Sequence, residues 1–134
     1  MVLDTSAIFA AIANEPDGDS YRRAIKAAPL RLISAVTLLE TRIVLSSRFG
    51  DEAIATLEEL VERAHISVVP FDRELCEAAF DAFRRFGKGQ GKPAQLNIVD
   101  CAAYALARMR SLPLLFKGGD FAATDIRPAL LPKL

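Results

Sequence analysis

The chain has 134 residues, of which 51% are hydrophobic and 25% are charged, a length and composition typical of one compact domain rather than of a disordered or fibrous protein. Its 17 basic and 17 acidic residues give a formal net charge of zero, so no overall positive field would attract nucleic acid. Any contact with phosphate groups must therefore be local.

Short apolar runs alternate along the chain with longer stretches of helical periodicity. This alternation is typical of strand–helix units arranged around a parallel sheet. The apolar runs predict strands at 2–4, 31–34, 66–69 and 113–116. The helical stretches predict helices at about 6–13, 19–28, 35–48, 51–64, 73–86 and 97–110. We therefore expect a single three-layer α/β/α domain over residues 1–134, with a central parallel sheet.

The first predicted strand ends at Asp4, the only charged side chain in the opening segment MVLDTSAIFA. Ligand sites of parallel α/β sheets lie beyond the carboxyl ends of the strands, which is where this carboxylate would point. Aspartate is also a favoured residue at a helix N-terminus, so Asp4 could simply cap the helix that follows. The residue alone does not separate these two interpretations.

The helix predicted over 35–48 carries Glu40, with Val36 one turn before it and Ile43 and Val44 one turn after it. This spacing places Glu40 on the apolar stripe of the helix. A carboxylate facing the core is costly unless a cation or hydrogen-bond donors meet it. The alternative is that Glu40 lies at the edge of the stripe and reaches solvent.

Asp100 is the only strongly acidic or basic side chain in the segment PAQLNIVDCAAYALA. The helix predicted there is apolar nearly all round and should be buried. Asn97 offers a second interpretation, because an asparagine three residues before an aspartate resembles a capping box. A capping aspartate in the first helical turn can still face the active edge of the sheet.

Asp120 follows the last predicted strand in the turn KGGDF, and taken alone it is an ordinary turn residue. The set is more informative, because each acid comes after a strand or near the start of a buried helix; its members are Asp4, Glu40, Asp100 and Asp120. Carboxylates collected at one edge of the sheet would need a counterion. Oxygen-only ligands suit Mg²⁺, with Mn²⁺ as a substitute, and such an ion can polarise a phosphodiester and activate water.

Four segments of the sequence resemble motifs of the PIN domain of VapC-type toxins, the ribonuclease half of bacterial toxin–antitoxin pairs. VLDTSAI resembles the opening strand of that family, SAVTLLET and LNIVDCAAYALA its second and third acidic segments, and LPLLFKGGDFAATDI its closing strand and turn. The motifs stand in the family's order and cover nearly the whole chain. The resemblance implies that the catalytic and metal-binding residues are Asp4, Glu40, Asp100 and Asp120, supported by Ser6 and Asn97.

The same resemblance implies a PIN-like sheet of four or five strands. It also implies a Mg²⁺-dependent endoribonuclease toxin of a type II toxin–antitoxin pair, which cuts RNA in single-stranded or loop regions. Proteins of this family form homodimers and are held inactive by a cognate VapB-type antitoxin whose tail enters the acidic groove. DNA would be contacted only indirectly, through the antitoxin.

Five basic residues are candidates for contacts with RNA phosphates: Arg84, Arg85, Lys88, Lys92 and Lys117. The first four lie at the end of one predicted helix and in the glycine-rich loop after it, and the fifth follows the last strand. The alternative is that the arginines complement the negative end of their helix, while the lysines keep the loop solvated.

The remaining sequence features concern location. No apolar stretch approaches the roughly 20 residues that span a membrane, and no signal peptide is evident. Cys76 and Cys101 show no CxxC spacing, and we predict that both are reduced thiols in the core. We expect a cytoplasmic protein without a membrane partner.

Two other functions fit parts of this pattern. A non-catalytic PIN scaffold would bind RNA or protein without cutting, although the presence of all four acids argues against it. A phosphoacceptor regulatory domain would use an acid after the first strand and a lysine after the last, as Asp4 and Lys117 are placed. That class also needs a second acid beside Asp4, which this chain lacks.

Overall fold

The computed structural model describes residues 1–131 and contains the predicted elements, each with ends within one residue of those expected. The strands are β1 (Val2–Leu3), β2 (Leu32–Ser34), β3 (Ser67–Val69) and β4 (Leu114–Leu115). The helices are α1 (Thr5–Ile12), α2 (Gly18–Ala27), α3 (Ala35–Phe49), α4 (Asp51–Arg63), α5 (Arg73–Phe86) and α6 (Ile98–Arg110).

The strands form one parallel sheet in the order β3-β2-β1-β4, which confirms the predicted central parallel sheet. The register pairs Val2 with both Leu32 and Leu114, so β1 lies in the middle with β2 and β4 on either side. Because all the strands run in the same direction, their carboxyl ends meet at one edge of the sheet. The residues that follow β1, β2 and β4 are therefore neighbours in space.

Successive residues of each central strand face opposite layers, as the two-residue period of a strand requires. Val2, Leu32 and Leu114 pack against α5 and α6. Their chain neighbours Leu3, Ile33 and Leu115 belong to the other core cluster, which includes side chains of α1, α2, α3 and α4. The sheet is therefore covered on both faces, and the three-layer architecture predicted from the sequence is confirmed.

The buried face of α3 is not the one predicted. Its buried residues are Thr37, Thr41 and Leu45, whereas Ile43 is 55% exposed and Glu40 is half-buried. The prediction was wrong because it counted only apolar side chains, and two of the three buried positions carry hydroxyl groups. Glu40 therefore lies beside the buried face of the helix rather than on it.

The prediction for the cysteines was half wrong. Cys101 is buried in α6, but Cys76 is exposed. The buried residues of α5 are Leu75, Ala79 and Ala82, which recur at helical spacing and leave Cys76 on the solvent side. Both cysteines are free thiols. None of the helices described is both long and apolar enough to cross a membrane.

The corrected orientation of α3 predicts opposite results for two apolar residues only two positions apart. Leu45 is fully buried, so Leu45→Ala should lower the free energy of unfolding by about 2–5 kcal/mol. Ile43→Ala should change it by no more than about 0.5 kcal/mol, because that side chain is already in solvent. Urea unfolding of both variants measures the difference, and a larger loss for Ile43→Ala would restore the face predicted from the sequence.

Candidate active site

Strand pairing and helix capping place the segments of Asp4 and Glu40 at the carboxyl edge of the sheet. The Asp4 N–H donates to the Leu115 carbonyl at 3.0 Å, which fixes Asp4 beside the end of β4. On the other side of β1, the Ser34 hydroxyl accepts a hydrogen bond from the Val36 N–H at 3.3 Å and caps α3, the helix that carries Glu40. Helices α1 and α3 therefore both begin at this edge, with their partly positive ends towards it.

The Asp4 carboxylate has one satisfied oxygen and one unsatisfied oxygen. Its Oδ2 accepts hydrogen bonds from the Ser6 N–H at 3.1 Å and from the Ser6 hydroxyl at 2.6 Å, which caps α1. Its Oδ1 is buried and has no hydrogen-bond partner among residues 1–131. Asp4 is thus a cap and also presents a spare buried oxygen. A partnerless buried acceptor costs free energy, so this atom marks a place where a cation or a donor would bind favourably.

Ser6 links two of the segments that build the site. While its hydroxyl donates to Asp4, the same oxygen accepts a hydrogen bond from the Lys117 N–H at 2.9 Å. The start of α1 is in this way tied to the segment after β4, where Asp120 lies three residues further on. The Ser6 hydroxyl therefore connects Asp4 to the segment that follows β4.

Asp100 and Asn97 form a complete capping box at the start of α6. The Asp100 side chain accepts from the Asn97 N–H at 3.0 Å, and the Asn97 side chain accepts from the Asp100 N–H at 2.8 Å. The alternative interpretation of this pair is therefore correct as far as the local structure goes. It does not exclude a role in the site, because Asp100 is only 8% exposed and feels the charges of the other acids.

Burial and the charges of other acids both raise the pKa of the two buried acids, Asp4 and Asp100. Burial raises the pKa of Asp100 to about 6, and the negative charges of Asp4, Asp120 and Glu40 add to the rise, while the Asn97 hydrogen bond opposes it. Burial also raises the pKa of Asp4, against the hydrogen bonds from Ser6, and the charge of Glu40 raises it further. Desolvation and mutual repulsion therefore both penalise the ionised site.

The other two predicted acids are more open to solvent. Glu40 is half-buried, and Asp120 is exposed in a turn that Gly118 begins with a φ of +97°. Within the described part of the chain, no three acidic, histidine or cysteine side chains come close enough to form a ready-made metal cage. This arrangement suits Mg²⁺ or Mn²⁺ better than Zn²⁺, because Mg²⁺ is commonly held by one or two carboxylates together with waters and substrate phosphates. The spare oxygen of Asp4 and the oxygen-only donor set therefore fit such an ion.

Two of the predicted RNA-contacting residues already have acidic partners inside the protein. Arg85 pairs with Asp125 at 2.9 Å and donates to the Tyr104 hydroxyl at 3.2 Å. Lys117 pairs through its Nζ with Asp17 at 2.9 Å and also with Glu15. Neither side chain pairs with an acid of the site.

The other predicted RNA-contacting residues are open to solvent. Arg84 lies over the ring of the exposed Phe80, at 4.5 Å from its centre. Lys88 and Lys92 are exposed, and neither has an ion pair with a residue that the structure describes. Their loop closes on itself, because the Lys88 N–H donates to the Leu96 carbonyl at 2.9 Å. This contact brings Lys88 beside the residue that precedes Asn97 and the Asp100 capping box.

Sequence reasoning missed two buried threonines that stand directly after acids of the site. Thr5 follows Asp4 and Thr41 follows Glu40, and their hydroxyl oxygens are 3.0 Å apart. The only indication of this pair in the sequence is that each acid is followed by a threonine. Such a pattern is too common to predict a contact between the two threonines.

The chain is similar to known proteins of one family along nearly its whole length. Residues 1–127 match the model of the PIN domain. The chain is 41% identical over 132 residues to Ribonuclease VapC30 of Mycobacterium tuberculosis, covering 98% of this chain and 100% of that protein. It is 43% identical over 126 residues to Ribonuclease VapC of Mycolicibacterium smegmatis, covering 94% and 97% of the two chains.

Solved structures show the same fold at lower sequence identity. Mycobacterium tuberculosis VapC20, described as a sarcin-ricin loop cleaving toxin, superimposes with a TM-score of 0.75 at 22% identity, covering 95% of this chain and 98% of that one. A chain of DNA-bound VapBC from Salmonella typhimurium gives a TM-score of 0.68 at 19% identity, covering 95% and 94%.

The raised pKa of Asp100 predicts how acid affects the metal-free protein. An acid whose pKa rises from 3.8 to about 6 on folding favours the folded state below pH 4, and this contribution is lost as the pH rises through 6. Asp100→Asn should remove that dependence and raise the free energy of unfolding at pH 7 by about 1–3 kcal/mol. Urea unfolding in EDTA between pH 4 and pH 7 measures both effects.

Glu62→Gln is a matched control for that measurement. Glu62 is an exposed acid at the end of α4, shortly before β3 begins, and so lies towards the opposite edge of the sheet. Its neutralisation should leave the pH dependence unchanged. If the Asp100→Asn variant has a lower free energy of unfolding than wild type at pH 7, the charge of Asp100 stabilises the start of α6 by more than its repulsion of the other acids destabilises the fold.

Proposed function

This chain belongs to the PIN domain family and is of the VapC type, and we propose that it is a Mg²⁺-dependent endoribonuclease and the toxin of a type II toxin–antitoxin pair. The observation that carries the catalytic part is the buried, partnerless Oδ1 of Asp4 within a set of mutually repelling carboxylates. The RNA substrate is supported by relatives that are named ribonucleases and share more than two fifths of their residues with this chain.

The residues that would hold the ion are the four acids of the site: Asp4, Glu40, Asp100 and Asp120. When bound, Mg²⁺ supplies Lewis-acid polarisation of the phosphodiester and lowers the pKa of water. Ser6 and Asn97 act on the acids rather than on the substrate. Ser6 fixes one oxygen of Asp4 and leaves the other free, and Asn97 fixes the orientation of Asp100 through the capping box.

Ionisation of Asp100 limits the pH range of this site. Because the pKa of Asp100 is raised to about 6 in the metal-free protein, the carboxylate is mostly ionised at pH 7 and increasingly protonated below pH 6. The only histidine of the chain, His65, is exposed before β3, at the amino edge of the sheet. Histidine therefore does not serve as the general base, and water activation depends on the ion and the carboxylates.

We assign the contacts with RNA phosphates to Arg84, Lys88 and Lys92. They are exposed, and Lys88 begins a loop that returns to the Asp100 capping box. Arg85 and Lys117 instead neutralise acids of the protein itself, which gives them a structural role. Because the net charge of the chain is zero, attraction of phosphate has to come from a local group of basic residues. Arg84, Lys88 and Lys92 form such a group.

The proposed partners are a VapB-type antitoxin and a second copy of the chain, with DNA contacted only through the antitoxin. The structural likeness to the VapBC complex supports an antitoxin partner. Exposed apolar side chains of α3 and α6 offer protein-binding surface close to the site, since Leu39 is 59% exposed and Ile98 is 78% exposed. Ile98 directly follows Asn97, and Leu39 directly precedes Glu40.

The geometry weakens the phosphoacceptor alternative. That function needs the lysine after the last strand to reach the acid after the first strand. Here the Lys117 Nζ pairs with Glu15 and Asp17, and only its backbone N–H approaches Asp4, through Ser6. A non-catalytic scaffold remains the alternative that the activity measurement decides.

Asp100→Asn should reduce the rate of RNA cleavage by at least about 100-fold, because loss of an ion-binding carboxylate costs more than loss of a group that only orients one. Cleavage by the wild type should stop in EDTA and return with Mg²⁺ or Mn²⁺. Glu62→Gln is the control and should cleave at the wild-type rate. Equal cleavage by wild type and Asp100→Asn would show that the nuclease is a contaminant.

Replacing Lys88 and Lys92 together by alanine should raise KM and leave kcat nearly unchanged, since these side chains hold phosphates away from the reacting group. The slope of log(kcat/KM) against log of salt concentration should become shallower by up to about 0.7 for each lysine removed. Lys26→Ala, an exposed lysine in the last turn of α2, is the control. A fall in kcat at constant KM would contradict this assignment.

A further inference from the structure

The buried side chains of Thr5 and Thr41, together with the backbone carbonyl of Thr37, join helices α1 and α3. The Thr37 hydroxyl itself is buried and has no hydrogen-bond partner among residues 1–131. Thr5 is the first residue of α1, and Thr37 and Thr41 lie on the buried face of α3. The Thr5 and Thr41 hydroxyl oxygens are 3.0 Å apart, and the Thr41 hydroxyl is 2.7 Å from the Thr37 carbonyl. Among residues 1–131, every side-chain hydrogen bond between α1 and α3 involves Thr5.

The direction of these hydrogen bonds follows from the number of protons. Each threonine hydroxyl has one proton to donate. The proton of Thr41 is used in the short bond to the Thr37 carbonyl one turn earlier, a common arrangement within helices. Because that proton is taken, Thr5 is the donor in its 3.0 Å bond to Thr41, and the Thr37 carbonyl, at 3.4 Å, is a more distant second acceptor for the same proton. The result is a chain of two bonds from α1 through Thr41 to the backbone of α3.

Stability alone does not require hydroxyl groups at these positions. Two apolar side chains of the same shape would pack there with similar stability, because replacing both partners of a buried hydrogen bond can be nearly neutral. A hydrogen bond differs from apolar packing in fixing a distance and a direction. The positions that it fixes here are those next to Asp4 and Glu40, two like charges that repel each other.

We propose that Thr5 and Thr41 form a buried hydroxyl clasp that holds Asp4 and Glu40 at the separation the ion-binding site requires. The two threonines are positioning residues, since they act through the adjacent acids and touch neither substrate nor ion. The inference deepens the proposed function and rests on it for its consequence on ion binding. Its geometric part, the restraint on α1 and α3, is independent of any ion.

The ion-binding consequence is tested with the double variant Thr5→Val and Thr41→Val, which keeps the shape of both side chains. Its dissociation constant for Mn²⁺, measured by calorimetry, should rise by about 10–100-fold, as for other groups that orient ion-binding side chains. The double variant Thr5→Ser and Thr41→Ser keeps the hydroxyls and should bind like the wild type. Thr56→Val is the matched control, because Thr56 makes the same kind of bond to the Glu52 carbonyl on the exposed face of α4.

The restraint itself is tested without metal by combining the clasp variants with Glu40→Gln in EDTA. In the wild-type background, Glu40→Gln should raise the urea midpoint, because it relieves repulsion with Asp4. In the double-valine background the gain should be smaller, because the two acids are free to move apart and the repulsion is already relieved. The difference between the two gains is the coupling of a double-mutant cycle.

The outcomes distinguish the clasp from the function. Equal Mn²⁺ binding and equal gains from Glu40→Gln in both backgrounds would overturn the clasp and leave the nuclease proposal standing. If the wild type binds no Mn²⁺ and cuts no RNA, the nuclease proposal fails and the metal-free cycle alone decides the clasp. In that case the clasp would be overturned if Glu40→Gln raised the urea midpoint by the same amount in the wild-type and double-valine backgrounds.

Discussion

The structure depends on a conflict between burial and charge at one edge of the sheet. Asp4 and Asp100 are taken almost fully out of water at positions where they also repel each other and Glu40. Two ordinary structural devices reduce the penalty, since both acids sit at helix starts and accept hydrogen bonds from Ser6 or Asn97. Neither device satisfies the Asp4 Oδ1. The metal-free fold therefore retains an unfavourable negative site that a divalent ion would relieve.

The parallel sheet and the hydrogen bonds beside it connect the segments that carry Asp4, Glu40 and Asp120. The parallel sheet places the ends of β1, β2 and β4 side by side, and hydrogen bonds through Leu115, Ser6 and Lys117 connect the segments beyond β1 and β4. The threonine pair makes the corresponding connection between α1 and α3. Each acid on this edge is thus attached to a rigid element rather than to a free loop, except Asp120. Among residues 1–131 no three of these side chains form a ready-made cage, so a bound ion would complete its coordination with waters and substrate phosphates.

The sequence was sufficient to predict the helices, the strands and the parallel sheet, because hydrophobic period and cap residues agree along the chain. Ser34, Asp72 and Asn97, for example, each cap the helix that follows with a side-chain hydrogen bond. The buried face of α3 could not be predicted in this way, because Thr37 and Thr41 are polar residues whose burial depends on partners in other segments. The partners of Arg85 and Lys117 were missed for a similar reason, as Asp125 and Asp17 lie 40 and 100 residues away. Local patterns therefore located the acids but did not show which basic residues were already paired.

We propose that the buried carboxylates are kept for an ion, at a cost in stability to the metal-free fold. The most direct test is the free energy of unfolding of Asp4→Asn relative to wild type, measured by urea unfolding at pH 7 in EDTA and again in saturating Mn²⁺. We expect a reversal: the variant should be at least as stable as wild type in EDTA and less stable in Mn²⁺, because only the wild type gains the full free energy of binding. A variant that is less stable than wild type by the same amount in both conditions would show that Asp4 serves only as a helix cap.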